Sequence, residues 1–146
     1  MIRAGALAIA ILSSAASAAF AAPVDLSGRW SFTSNVGAGE GCRFGGTATV
    51  TPTENAEQFE ATLVAEHNCP DYYHFIVEQS ADLWVTGKQV SVLSTIKDIV
   101  KQDTKPGWED YAPDNFALTL QSDGHLFGSL NGRGVARWVR QEEGIS

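Results

Sequence analysis

The stretch Phe59-Glu60-Ala61-Thr62-Leu63-Val64-Ala65-Glu66 decides the fold class, because its odd-numbered positions are apolar and most of its even-numbered positions are polar. Alternation with a period of two is typical of a β-strand that buries one face. The same pattern recurs over residues 116–120 and 126–130, and no convincing helical period competes with it. The sequence therefore predicts an all-β protein.

Residue pairs that favour tight turns separate the alternating runs. Gly87-Lys88 and Asp123-Gly124 each lie between two such runs, and Asn131-Gly132 precedes the last run; pairs of this kind are hairpin signals. The predicted strands cover residues 29–34, 44–52, 58–66, 72–79, 82–86, 89–97, 115–121, 125–130 and 134–140. Eight or nine consecutive strands indicate a meander, and closing a meander removes its exposed edges. We therefore expect a single antiparallel up-and-down β-barrel of about eight strands, with a two-sheet sandwich as the alternative.

The first 21 residues have the character of a secretory signal peptide. Arg3 is followed by an apolar run to Leu12, and Ala19-Phe20-Ala21 fits an A-x-A cleavage site. The apolar run is too short to span a membrane as a helix. We expect residues 1–21 to be removed and residues 22–146 to form one exported domain, periplasmic or secreted, without a membrane span.

The predicted mature chain is acidic. It carries 9 Lys and Arg residues against 17 Asp and Glu residues, a formal charge of −8. Binding to a phosphate backbone requires clustered basic residues, and the basic residues here are dispersed. The charge therefore argues against nucleic acid and against anionic membrane surfaces as partners.

Cys42 and Cys69 are the two cysteines of the chain. In an exported protein an even cysteine count favours a disulfide, so a Cys42–Cys69 bridge is the simplest pairing. The alternative is a pair of reactive thiols, but the spacing is far from C-x-x-C. We expect a structural disulfide.

The first predicted strand opens with Asp25-Leu26-Ser27-Gly28-Arg29-Trp30-Ser31-Phe32, which resembles the G-x-W opening of calycin barrels: lipocalins, avidins and bacterial metalloprotease inhibitors. In those families the tryptophan closes one end of the barrel and packs against an arginine from the last strand. Arg137 and Arg140 both lie in the last predicted strand. The resemblance therefore implies that Gly28, Trp30 and Arg137 or Arg140 close one end of a calycin-like barrel.

The same resemblance implies function by binding rather than by catalysis. The metalloprotease inhibitors are similar exported barrels with an early disulfide, and an N-terminal trunk of theirs enters the protease cleft; here only residues 22–27 precede Gly28. The alternative is a lipocalin-type carrier of a small apolar ligand. A carrier predicts a cavity open at one end, and an inhibitor predicts a filled interior. Apolar side chains at the inward positions slightly favour a filled interior: Phe59, Phe75, Phe116, Leu118 and Leu120.

One long predicted loop, residues 98–114, is a candidate binding segment. It carries two prolines, several charges and the aromatic residues Trp108 and Tyr111, which flank Glu109 and Asp110. Long loops of this kind are often functional. Trp108, Glu109 and Tyr111 are therefore expected either to contact a ligand or partner at the rim, or to fold down and cap the barrel mouth.

Neither a metal site nor a catalytic site is predicted. Glu66, His67, Asp71 and His74 surround Cys69, but their spacing fits no recognised ligand pattern. The mature chain contains no G-x-S-x-G, H-E-x-x-H, P-loop or dinucleotide fingerprint. We expect no metal, no cofactor and no catalytic residue, and the less favoured alternative is an enzyme that uses an unrecognised pair of carboxylates.

Overall fold

The computed structural model describes residues 24–37 and 39–142. They form eight strands: β1 (Gly28–Ser34), β2 (Arg43–Pro52), β3 (Gln58–Cys69), β4 (Tyr73–Thr86), β5 (Gln89–Thr104), β6 (Phe116–Leu120), β7 (Leu126–Leu130) and β8 (Gly134–Arg140). Each strand pairs antiparallel with the next, and β8 pairs with β1 to close the barrel. The predicted all-β up-and-down barrel is confirmed. The signal peptide predicted for residues 1–21 lies outside the described residues.

Two details of the predicted strand pattern are wrong. The segments 72–79 and 82–86 belong to one strand, β4, because Ser80 and Ala81 keep the outward and inward alternation without a break. The predicted loop 98–114 is also too long, since β5 continues to Thr104 by pairing with β4. Its last residues are exposed on both faces, so they lack the alternation that would have marked them as a strand. The connection between β5 and β6 is residues 105–115.

Up-and-down order places three of the seven connections at one end of the barrel and four at the other. One end, which we call the clamp end, holds residues 24–27 and the connections 53–57, 87–88 and 121–125. The other end, the cleft end, holds the connections 35–42, 70–72, 105–115 and 131–133. The two ends of the barrel therefore carry different connections and different side chains. In the described part of the chain no helix has the length and apolar character needed to cross a membrane.

A continuous apolar core fills the barrel from the clamp end and reaches the cleft end at Phe44 and Leu130. Phe32 is 1% exposed, and its ring lies 5.4 Å from the ring centroids of both Phe116 and Trp138. Gly46 makes room for that ring, since a Cβ at this position would collide with Phe32 and with the Val64 carbonyl oxygen. Close packing of this kind makes even one added methyl group destabilising.

β5 is only partly enclosed by the sheet. Its first four residues, 89–92, pair with β6, whereas residues 93–104 pair with β4 alone. Two bulges, at Lys97 and Val100, bend this outer half of β5, and Lys97 and Lys101 place charge on it. Bulges and lysines are features that discourage uncontrolled strand addition at an edge. Past residue 92 the barrel wall continues as the 105–115 connection and not as a paired strand.

Candidate functional site

The clamp end is closed by Trp30 and Arg140. Trp30 is 1% exposed and donates from Nε1 to the Leu26 carbonyl oxygen, 2.9 Å away. The Arg140 guanidinium carbon lies 4.4 Å from the Trp30 ring centroid, a cation–π contact. Arg140 also donates to the carbonyl oxygens of Ser27 and Asp25, at 2.6 and 2.7 Å. These contacts hold residues 25–27 against the barrel.

Gly28 permits this closure, and Arg137 takes no part in it. Gly28 has a φ of 121°, which favours glycine, and a Cβ there would lie 3.2 Å from Arg140 Nη1. Arg137 is exposed, and its Nη2 lies 3.4 Å from His125 Nδ1. Of the two arginines considered, the structure therefore brings Arg140 to Trp30.

The cleft end is tied together by the predicted disulfide. Cys42, just before β2, is bonded to Cys69, the last residue of β3. The bridge fixes the connection 35–42 beside the end of β3. A disulfide is typical of proteins that fold in an oxidising compartment.

An open cleft of about 530 Å³ lies at this end of the barrel. Residues from the connections 35–42, 105–115 and 131–133 and from the inward faces of β3 and β4 line it. Its volume falls within the usual range of small-molecule sites. Leu130 belongs both to the apolar core and to the cleft lining, so the cleft directly adjoins the core.

The predicted binding loop forms one wall of the cleft. The Tyr111 ring packs edge-on against Phe75, with centroids 5.0 Å apart. Trp108 packs against Tyr72 and Tyr73, at 5.1 and 5.6 Å, and remains 40% exposed. Tyr111 therefore folds down over the barrel mouth, whereas Trp108 stands at its rim.

Glu109 acts within the loop and not in the cleft. Its carboxylate accepts from the Gly107 amide at 3.0 Å, and its carbonyl oxygen accepts from Gln102 Nε2 at 3.0 Å. These bonds fasten the 105–115 connection to itself and to β5. Glu109 therefore supports the wall that Trp108 and Tyr111 present.

A buried polar network supports the inner wall of the cleft, where Asp114 and Tyr111 line the cleft and Gln79 is bonded to Asp114. Gln79 is 0% exposed and Asp114 is 4% exposed. Gln79 Nε2 donates to Asp114 Oδ2 at 2.6 Å, and the Asp114 amide donates to Gln79 Oε1 at 2.8 Å. Tyr111 Oη donates to the same Oδ2 at 2.6 Å. The reciprocal bonds fix residue 114 against β4 and so set the position of the wall.

Burial shifts the pKa values of this network. Removal from water raises the pKa of Asp114, and the hydrogen bonds from Tyr111 and Gln79 act in the opposite direction. Burial and the neighbouring Asp114 carboxylate raise the pKa of Tyr111 far above its ordinary value. Tyr111 is therefore a hydrogen-bond donor at any physiological pH and does not act as a base.

His67 contributes a second buried polar group. Its Nε2 lies 3.1 Å from the Val36 carbonyl oxygen and 3.2 Å from Tyr73 Oη. Since a carbonyl oxygen only accepts, Nε2 carries a hydrogen in the first contact. Burial lowers the pKa of His67 despite the Val36 hydrogen bond, which raises it. The imidazole is therefore a neutral part of the wall near pH 7.

The acidic and histidine residues around Cys69 do not converge. His67 faces the interior, whereas His74 lies outside against Glu66, with Nε2 3.2 Å from Oε2, and Asp71 is exposed in the adjoining connection. Among residues 24–37 and 39–142, no group of three His, Cys, Asp or Glu side chains is placed to hold a metal ion.

Comparison with known proteins adds no assignment. No protein-family model matches the chain, and no curated protein matches its sequence. The closed eight-stranded barrel is consistent with a calycin-like fold.

Sequence reasoning missed Gln79 and Asp114 as site residues. Gln79 has the inward parity of Phe75 and Val77, so a polar residue at an inward position of β4 was a usable signal. Asp114 lies in an irregular connection, where no periodicity indicates which way a side chain points. Its burial depends on contacts that the fold creates.

Proposed function

We propose that this protein is an exported, non-enzymatic binding protein that holds a small ligand in the cleft end of its barrel. The observation that carries the proposal is the contrast between the two ends: Trp30 and Arg140 close one, while the other opens into a cleft of about 530 Å³. Aromatic walls and a few fixed polar groups are the usual composition of a ligand site. The disulfide supports an oxidising compartment, periplasmic or extracellular.

The finer family assignment is part of the same proposal. The G-x-W opening, the Arg140 contact to Trp30 and the up-and-down closure support membership of the calycin group. Within that group the cleft favours a ligand carrier over a protease inhibitor. Residues 25–27, which belong to the trunk that an inhibitor would extend into a protease, are bound to Arg140 at the barrel end.

Native mass spectrometry tests the proposal directly. Protein purified from its own exporting cells is compared with its denatured mass, and we expect extra mass that disappears on denaturation. Ala112, which lines the cleft and is exposed, is replaced by tryptophan to fill the cleft. The matched control is Ala117→Trp on the outer face of β6. The extra mass should be lost in Ala112→Trp and kept in Ala117→Trp.

Two results would count against a cleft ligand. Equal retention by both variants would place the bound molecule elsewhere on the protein. A wild-type protein without extra mass, whose melting temperature is also unchanged by a small-molecule extract of the exported fraction, would overturn the carrier function. Pull-down of exported proteases would then test the inhibitor alternative.

A further inference from the structure

Asp114 places an uncompensated carboxylate in the cleft wall. The side chain is 4% exposed, and both side-chain hydrogen bonds that it accepts come from neutral groups, Gln79 and Tyr111, and go to Oδ2. Within the described chain, Oδ1 accepts no hydrogen bond, and the ion pairs all involve other carboxylates. A buried carboxylate without a cation is costly. Asp114 lines the cleft, so a bound ligand can supply the missing partner.

Four aromatic rings line the same cleft as this carboxylate. Tyr73 lies 5.6 Å from both Phe75 and Trp108, and Tyr111 lies 5.0 Å from Phe75, measured between ring centroids. All four side chains line the cleft. Aromatic faces attract cations, and the attraction strengthens where water is displaced. A carboxylate among aromatic rings is a setting that suits an ammonium group.

The other charged groups of the cleft do not reverse this preference. Asp110 and Arg133 both line the cleft and are both exposed, so water and salt screen them and their opposite charges offset each other. Asp114 is buried in a medium of lower dielectric, where a charge acts more strongly. The sign of the field at the inner wall is therefore set by Asp114.

We infer that the cleft selects a cationic ligand, an amine or quaternary ammonium attached to a small apolar body, with its positive charge at Asp114 and its apolar body against the aromatic walls. The inference rests on the proposed function, since it names the ligand class for the same cleft.

Three probes that share a phenyl ring separate charge from shape: 2-phenylethylammonium, neutral 2-phenylethanol and anionic 3-phenylpropionate. Their Kd values for the mature protein are measured by ligand-observed NMR at millimolar concentrations. We expect the ammonium probe to bind at least about tenfold more tightly than the alcohol; tenfold is about 1.4 kcal/mol, which lies between the values for an exposed and a desolvated cation–π contact. The anion should bind most weakly.

Three variants test whether the preference for the ammonium probe depends on Asp114 and on the aromatic wall. Asp114→Asn keeps the shape and an acceptor for Tyr111 but removes the charge, so the ammonium and alcohol probes should bind about equally. Asp110→Asn is the matched control at the exposed rim and should keep the preference. Trp108→Leu removes an aromatic face and should weaken ammonium binding more than alcohol binding, which tests the inference even if Asp114→Asn fails to fold.

The outcomes distinguish this inference from the proposed function. The inference that the cleft selects a cation would be overturned by equal binding of all three probes, by tighter binding of the anion or by no binding of the ammonium probe. It would also be overturned if Asp114→Asn kept the preference for the ammonium probe. Charge-independent binding that is lost in Ala112→Trp would leave the cleft function standing. Failure of every probe, together with the absence of a copurified ligand, would overturn both.

Discussion

Replacing Trp30 with alanine tests the clamp end of the barrel. The side chain is 1% exposed, and truncation of a buried tryptophan typically lowers the free energy of unfolding by about 3–5 kcal/mol. Two contacts place this site within that range: loss of the Arg140 cation–π contact accounts for about 0.5–2 kcal/mol, and the orphaned Leu26 carbonyl for about 1–3 kcal/mol. We therefore expect a loss of about 3–5 kcal/mol.

Urea unfolding followed by far-UV circular dichroism measures this loss without depending on tryptophan fluorescence. The control is Trp84→Ala, because Trp84 is 44% exposed on the outer face; its loss should stay below about 1 kcal/mol. A double-mutant cycle between Trp30→Leu and Arg140→Met, each of which removes the cation–π contact, should give a coupling energy of about 0.5–2 kcal/mol. A loss below about 1 kcal/mol for Trp30→Ala would refute the clamp.

Four further predictions follow from described contacts. Reducing the Cys42–Cys69 bridge, whose sequence separation is 27, should lower the free energy of unfolding by about 3.5 kcal/mol; reaction of the unreduced protein with a thiol reagent would contradict the bridge. Burial lowers the pKa of His67, so its contribution to the free energy of unfolding is complete above the unfolded pKa of about 6.5 and is lost as pH falls through the folded pKa. Urea unfolding at several pH values across this range should show a steeper loss of stability toward acid for wild type than for His67→Gln. Gly46→Ala should destabilise by about 1–3 kcal/mol in the same assay, and an unchanged midpoint would disprove the collision. The inhibitor alternative predicts that deleting residues 22–25 abolishes inhibition of an exported zinc protease; undiminished inhibition would exclude the trunk mechanism.

The fold could largely be predicted from the sequence, because strands that bury one face have apolar residues at every second position. In β3, Phe59, Ala61, Leu63 and Ala65 all face the core. The hairpin pairs were equally readable, since Gly87, Gly124 and Gly132 adopt the positive φ angles that tight turns require. Local rules of conformation and burial therefore predicted the closed meander.

The sequence did not predict that the outer half of β5 is a strand, because this half is held by pairing with β4 and is not buried on one face. Ile99 and Val100 are 38% and 60% exposed, so neither marks an inward face.

The candidate site was only partly predictable, since it depends on which loop residues turn inward. Trp108 and Tyr111 were recognisable as aromatic residues in a polar loop. The burial of Asp114 follows from its long-range contact with Gln79, 35 residues away, and composition does not reveal such a contact.

The partial pairing of β5 has an evolutionary consequence. Beside the cleft, the β5–β6 ladder stops at residue 92, and residues of the 105–115 connection complete the wall. Substitutions or insertions in that connection can reshape the cleft without shifting the register of any strand, because loops tolerate changes that a ladder does not. Variants of this barrel can thus differ in the shape of the cleft while they keep the rest of the scaffold.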